Sequence, residues 1–326
     1  MSGRLPVGVI GVGALGHHHA RHLAQMEGVR LVGVCDIDAT RAATIARELG
    51  TEGFTELQPL LDRVEAVTVA VPTAAHAEVG LEALQRGIPV LMEKPLAATL
   101  DEADLLIAAA RAQSAQLQVG HIERYNRAVR AAEPYLDGPR YIESQRLAPF
   151  QPRGTDVAVV LDLMIHDLDL VLHLTGGAEA TEVRASGLSV LSSHLDIANA
   201  RVEFSNGGVA LATASRVSRE RVRRLRLFQP NGYFSLDLAS GAGEFMQVRG
   251  GWRPGTGNHL SDVVERMVLE APAADALALE LQSFVHAVRG QREVVVRGEE
   301  GRAALALALR VAAAVRTSPL AVPAHE

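Results

Sequence analysis

The sequence has almost no lysine: of 32 basic residues only Lys94 carries an amine, and all the others are arginine. Arginine stays charged at any working pH, whereas a buried ammonium can be tuned until it gives and regains a proton. Lys94 is therefore read as a chemical residue. Cysteine is equally scarce. The single Cys35 excludes an intramolecular disulfide, fits a reducing cytoplasmic setting, and lies in an apolar run as a small buried hydrophobe. Excess positive charge is absent too: the formal charge is −6, which argues against nucleic acid as a general partner. No stretch approaches the roughly 18 uncharged apolar residues of a membrane span. The chain enters an apolar strand at Leu5, which leaves no room for a signal peptide. The triplet His17-His18-His19 lies inside a helical pattern, where consecutive side chains point about 100° apart, so it is not a metal site.

What is present is a chain of 326 residues, 48% hydrophobic and 21% charged, long enough for two cores. Wholly apolar strands are expected at 5–10, 31–35, 66–70, 88–92 and 117–120, with helical spacing at 17–26, 39–49, 75–85 and 100–112 between them. Strands apolar throughout, alternating with helices, predict a doubly wound parallel sheet covered on both faces. The first strand runs into Gly11-Val12-Gly13-Ala14-Leu15-Gly16, a helix follows, and Asp36 closes the second strand 20 residues after Gly16. This is the fingerprint of a Rossmann dinucleotide site. Gly11 makes the turn, Gly13 admits the pyrophosphate, Gly16 lets helix and strand pack, and the residues from Gly13 through Ala14, Leu15 and Gly16 bring phosphates to a helix N-terminus. Asp36 suits the ribose hydroxyls and repels a 2′-phosphate, and neither Ile37 nor Asp38 offers a phosphate partner. NAD is the expected cofactor, with NADP disfavoured.

Lys94 follows the strand 88–92 in Glu93-Lys94-Pro95. Ligands of such sheets bind beyond the carboxyl ends of the strands, so Lys94 is placed at the mouth of the cofactor crevice, aimed by Pro95 and its restricted neighbour. With the fingerprint and His19, Val71-Pro72 and His76, Glu93-Lys94-Pro95, and a later Asp162 with His166, the sequence resembles the glucose-fructose oxidoreductase and inositol dehydrogenase (Gfo/Idh/MocA) family. The resemblance implies cofactor contacts from Gly11, Gly13, Ala14, Leu15, Gly16, Asp36, Val71, Pro72, His76, Glu93 and Lys94. It also implies that Lys94, Asp162 and His166 surround the carbon that exchanges hydride with the nicotinamide.

Beyond residue 121 the pattern changes, which divides the chain into a Rossmann domain, 1–121, and an α+β domain, 122–326. The second domain is expected to hold a large, mostly antiparallel open sheet. A helix at 124–136, a strand at 140–146 and a long helix at 155–174 precede alternating strands at 182–191, 196–204, 208–215, 221–228, 233–238 and 244–248, and helices at 274–288 and 300–315 end the chain. At ~100° per residue, His166, Asp169 and His173 fall within about 40° of Asp162, one polar stripe on an apolar helix. An acid and a histidine one turn apart suit proton transfer, with His166 as base and Asp162 orienting it. Asp162, His166 and Asp169 also have ligand-like spacing, but a cationic Lys94 would oppose a divalent ion, and no metal is expected.

The expected reaction is hydride transfer between a secondary alcohol of a sugar, cyclitol or nucleotide sugar and NAD. Arg146 and Arg153 flank a proline-rich stretch and are candidates, with Glu123, for substrate contacts, the arginines as an anion clamp. The segments 120–125 and 161–167 resemble family members that act on the 3-hydroxyl of UDP-linked amino sugars. A non-catalytic NAD(H) sensor is the competing reading, and such a protein would have no reason to keep Lys94, Asp162 and His166 together. The run from Arg216 to Arg226 alternates with apolar residues and reads as one solvated or partner-facing strand edge. An open sheet face needs cover, which predicts a homodimer or homotetramer.

Overall fold

The computed structural model describes residues 3–151, 157–250, 253 and 259–317. They form two compact units, Met1–Ile122 with Asp275–Leu305, and Glu123–Ala274 with Ala306–Glu326.

In the first unit β1 (Leu5–Ile10), β2 (Val29–Cys35), β3 (Glu52–Phe54), β4 (Ala66–Val69), β5 (Val90–Glu93) and β6 (Leu117–Gly120) make a six-stranded sheet in the order β3-β2-β1-β4-β5-β6. All its pairings are parallel. The strand order reverses between β1 and β4, the switch point at which such sheets open a ligand crevice. Helices α1 (Ala14–Gln25), α2 (Ala39–Leu49), α3 (Leu57–Leu61), α4 (His76–Leu84) and α5 (Leu100–Ala112) connect the strands. The doubly wound architecture is as the apolar runs predict. The three-residue β3 and the five-residue α3 were not expected, being too short to carry a period.

Another difference concerns chain allocation. Helix α9 (Ala276–Val288), expected with the second domain, buries Leu281, Phe284 and Val285 in one core with Leu5, Val7, Val9, Leu23 and Val34. The segment after it runs beside β6, where Val119 N–H donates to Val296 O at 2.9 Å. Residues 275–305 thus complete the first unit, because its apolar faces need cover that residues 1–122 do not supply.

The second unit carries an eight-stranded sheet. Its strands are β7 (Tyr141–Leu147), β8 (Ala180–Leu188), β9 (Ile197–Phe204), β10 (Val209–Ser215), β11 (Val222–Gln229), β12 (Gly232–Asp237), β13 (Ala242–Val248) and β14 (Val264–Leu269), in the order β14-β13-β12-β11-β7-β10-β9-β8. Only the β7–β10 pair is parallel. The edge strand β14 was not expected, since Glu265-Arg266 interrupts its alternation. Strict alternation elsewhere buries Ala198, Ala200 and Val202 of β9, Ala210, Ala212 and Ala214 of β10, and Leu225 and Leu227 of β11 on one face. The alanines keep that face shallow where a π-helical turn (Val160–Met164) and α7 (Ile165–Leu174) lie on it. The remaining helices are α6 (Arg127–Ala132), α8 (Leu260–Val263) and α10 (Gly298–Thr317). Among the described residues, no helix is long and apolar enough to cross a membrane.

Candidate active site

The glycine fingerprint is built as three different spaces. Gly11 has φ +80°, and a Cβ there would lie 2.8 Å from the Ala70 carbonyl oxygen. A Cβ on Gly16 would fall 1.7 Å from the Gly11 carbonyl oxygen, so helix and strand meet with no room for a side chain. Gly13 is the opposite case: a Cβ there would meet nothing within 4 Å. This open volume stands at the N-terminus of α1, where Gly13 is the N-cap, no side chain caps the free N–H groups and no acid occupies the first turn. By contrast α2 is capped by Asp38, which accepts from Thr40 N–H and Arg41 N–H at 3.0 Å. The uncapped end with its empty cradle fits the pyrophosphate of a dinucleotide, held by backbone N–H groups and the helix dipole.

Asp36 follows the end of β2. It is 6% exposed and accepts from Val12 N–H at 3.0 Å and Asp38 N–H at 2.9 Å. Arg41 Nη1 donates to both of its oxygens at 3.0 and 3.1 Å. Arg41 was not foreseen, because it reaches Asp36 only when α2 turns it back. It fixes the carboxylate's direction.

The other wall of the crevice is pinned by two histidines. His76 is buried, with Nδ1 2.9 Å from Pro95 O and Nε2 3.0 Å from Val71 O, and so ties the turn after β4 to the turn after β5. Burial depresses its pKa against the help of those carbonyls, so the ring is held neutral and donates to one of them at a time. His19, also buried, lies with Nε2 3.0 Å from Glu93 Oε1. Burial opposes charge on Glu93, yet the His19 hydrogen bond and the Lys94 ammonium carry its pKa below the ordinary carboxylate value. Lys94 follows, half-buried, and its bond to Pro95 is cis.

In the second unit the expected long helix is two pieces. The segment before Val157 lies outside the described residues, and Arg153 with it. From Val160 to Met164 the turn is π-helical, which breaks the ~100° arithmetic across Asp162. The four residues of the expected stripe differ in their burial. Asp162 and His166 are half-buried, His173 is exposed, and Asp169 is buried and accepts from Arg124 Nε and Nη2 at 2.6 and 2.8 Å. That ion pair ties Asp169 to Arg124.

Arg146 is also corrected. As an anion clamp it should face an open site, but it is 3% exposed, donates to both oxygens of Asp167 at 3.0 and 2.8 Å, and donates to Glu123 Oε1 at 2.8 Å. Burial opposes its charge, and the two carboxylates outweigh this and hold its pKa above the ordinary arginine range. Glu123 in turn accepts from Asn126 Nδ2 at 2.8 Å. Asp167 was also missed: one position after His166, it anchors that helix turn to β7. The basic run is divided as well. Arg216 is buried, pairs with Asp196 at 2.8 Å and donates to Val157 O at 2.7 Å, just ahead of the π-helical turn, whereas Arg226 lies on the opposite sheet face beside Glu143 at 3.5 Å.

Residues 5–121 match the family described as an oxidoreductase family with an NAD-binding Rossmann fold, Gfo/Idh/MocA, and residues 107–235 match the Gfo/Idh/MocA C-terminal domain. The chain is 41% identical to UDP-N-acetylglucosamine 3-dehydrogenase of Acidithiobacillus ferrooxidans over 94% of its length and 96% of that protein's. The chain belongs to the Gfo/Idh/MocA family. The solved structure of that dehydrogenase superposes with a TM-score of 0.89 at 40% identity, covering 95% of this chain and 97% of the other. Inositol 2-dehydrogenase of Rubrobacter xylanophilus is 39% identical over 52% of this chain and 51% of its own. As a Gfo/Idh/MocA member the protein is an NAD-dependent oxidoreductase.

Proposed function

We propose that this oxidoreductase acts on a secondary hydroxyl of a nucleotide-linked amino sugar, the 3-hydroxyl of a UDP-N-acetylhexosamine. The observation that carries the reading is the match to UDP-N-acetylglucosamine 3-dehydrogenase along nearly the whole of both chains, where the inositol dehydrogenase match covers about half. In the proposed mechanism the carbinol C–H bond breaks with its electron pair leaving as hydride, while the hydroxyl proton goes to His166. Lys94 donates a hydrogen bond to the same oxygen as negative charge develops, and Asp162 orients the imidazole and favours its charged form. The bound nicotinamide supplies the hydride acceptor.

The enzyme is further proposed to be a cytoplasmic homodimer or homotetramer, joined through the outer face of the eight-stranded sheet. Glu143, Gln145, Asn199, Thr213, Arg224 and Arg226, with Leu211, line a shallow depression there, a surface proposed to pair with its own copy about a two-fold axis. Monomeric mass in light scattering at micromolar concentration would refute this assembly.

The test of substrate is NADH formation with UDP-N-acetylglucosamine, free N-acetylglucosamine and myo-inositol in parallel, with thermal shifts measured in the presence of NAD. Turnover and stabilisation by the UDP-sugar alone are expected. Preference for myo-inositol, or no turnover of the UDP-sugar, would overturn the reading.

A further inference from the structure

The arginine clamp expected at Arg146 is closed by its own carboxylates, but its cross-strand neighbour is not. Arg223 on β11 stands directly opposite Arg146 on β7. Its side chain is 43% exposed, and the carboxylate nearest to it is Glu123, with Oε1 3.9 Å from Nη1, beyond hydrogen-bond reach. That oxygen already accepts from Arg146 at 2.8 Å, and the other oxygen of Glu123 accepts from Asn126. Among the described residues the Arg223 guanidinium donates no hydrogen bond, while Arg216 and Arg226 of the same run have carboxylate partners.

The carboxylates around it are already engaged. Arg146 and Arg221 repel Arg223, and Glu123 and Asp167, which attract it, both accept from Arg146. Burial first, then repulsion from Arg146 and Arg221, pushes the Arg223 pKa below the ordinary arginine value, against the pull of Glu123 and Asp167. A planar five-donor fork that is partly desolvated, short of a partner and facing outward is the group that takes a phosphate bidentately. The cluster is tied to the proposed base by one covalent step, because Asp167, bound by Arg146, is the next residue after His166.

We infer that Arg223, supported by Arg221, receives the diphosphate of the nucleotide-sugar substrate, with Arg146 anchoring the neighbouring strand β7. This rests on the UDP-sugar reading and assigns that substrate's anionic group to a particular residue. Loss of Arg223 leaves no buried carboxylate orphaned, since Glu123 and Asp167 keep Arg146, so Arg223→Gln is expected to fold and to bind NADH as the wild type does.

The experiment compares wild type, Arg223→Gln and Arg223→Lys in steady-state kinetics with UDP-N-acetylglucosamine, using UDP and inorganic phosphate as competitive inhibitors. Arg223→Gln should raise KM for the UDP-sugar and Ki for UDP by about 10- to 100-fold, the range of one lost charge-assisted pair, with kcat changed less than about threefold. Arg223→Lys should recover part of the loss, because it restores the charge but not the fork. Unchanged KM and UDP inhibition in Arg223→Gln, with wild type active on the UDP-sugar, would overturn this assignment alone. A wild type that neither turns over the UDP-sugar nor is inhibited by UDP would overturn the substrate reading beneath it.

Discussion

Replacing Gly13 with alanine separates cofactor binding from folding in one methyl group. The added Cβ meets nothing within 4 Å, and the residue has φ −64°, a value any L-residue adopts. Two small effects on stability oppose each other: alanine restricts the unfolded chain, worth about 0.4–1 kcal/mol, and it is a poorer N-cap than glycine by a similar amount. Folded stability should therefore stay within about 1 kcal/mol of wild type. The methyl stands where a pyrophosphate must approach the uncapped N–H groups of α1. Weakening one charge-assisted hydrogen bond of about 1.5–3 kcal/mol raises the NADH Kd roughly 10- to 100-fold. Titration of NADH fluorescence, paired with urea denaturation, measures both quantities on one sample. Gly16→Ala is the contrasting variant: its Cβ would lie 1.7 Å from the Gly11 carbonyl oxygen, and folded protein should not accumulate. Wild-type NADH affinity in Gly13→Ala would refute the placing of the pyrophosphate over this residue, and instability like that of Gly16→Ala would refute the open cradle.

Lys94→Arg should keep the fold and NADH binding while turnover falls by at least about 10²-fold, because a guanidinium cannot replace a compact, tunable amine; turnover within a few-fold of wild type would remove the case for Lys94. Arg146→Leu leaves Asp167 and Glu123 buried without their cation and should lower unfolding stability by about 3–5 kcal/mol in denaturant titration, whereas Arg226→Leu, exposed beside Glu143, should change it by no more than about 0.5 kcal/mol. The His76 pKa is depressed in the folded state, so its stabilising contribution is complete above the unfolded value of about 6.5 and is lost as pH falls from there through the folded pKa. Melting temperature should thus drop less between pH 7 and pH 5 in His76→Gln than in wild type, and parallel curves for the two proteins would count against a neutral, buried ring.

Much of the molecule was legible along the chain because the forces involved are local. A strand covered on both faces must be largely apolar, a turn that meets a carbonyl at 1.7 Å of a would-be Cβ must be glycine, and a carboxylate at the end of β2 lies a set distance past the fingerprint. Gly11, Gly13, Gly16, Asp36 and the position of Lys94 after β5 follow from such rules, as do the parallel sheet and the antiparallel one. The solitary lysine stood out by composition alone. What the tertiary structure decided is which charges meet. Arg146 and Asp167 are 21 residues apart, Arg124 and Asp169 are 45 apart, and nothing in their spacing says that these four are internal pairs while Arg223 lies 3.9 Å from Glu123. A π-helical turn interrupted the expected single helix, and α9 returned to a core begun at Leu5. Periodicity reports the environment of a face, but an ion pair or a shared core depends on the path of chain between its members, which only the folded backbone determines.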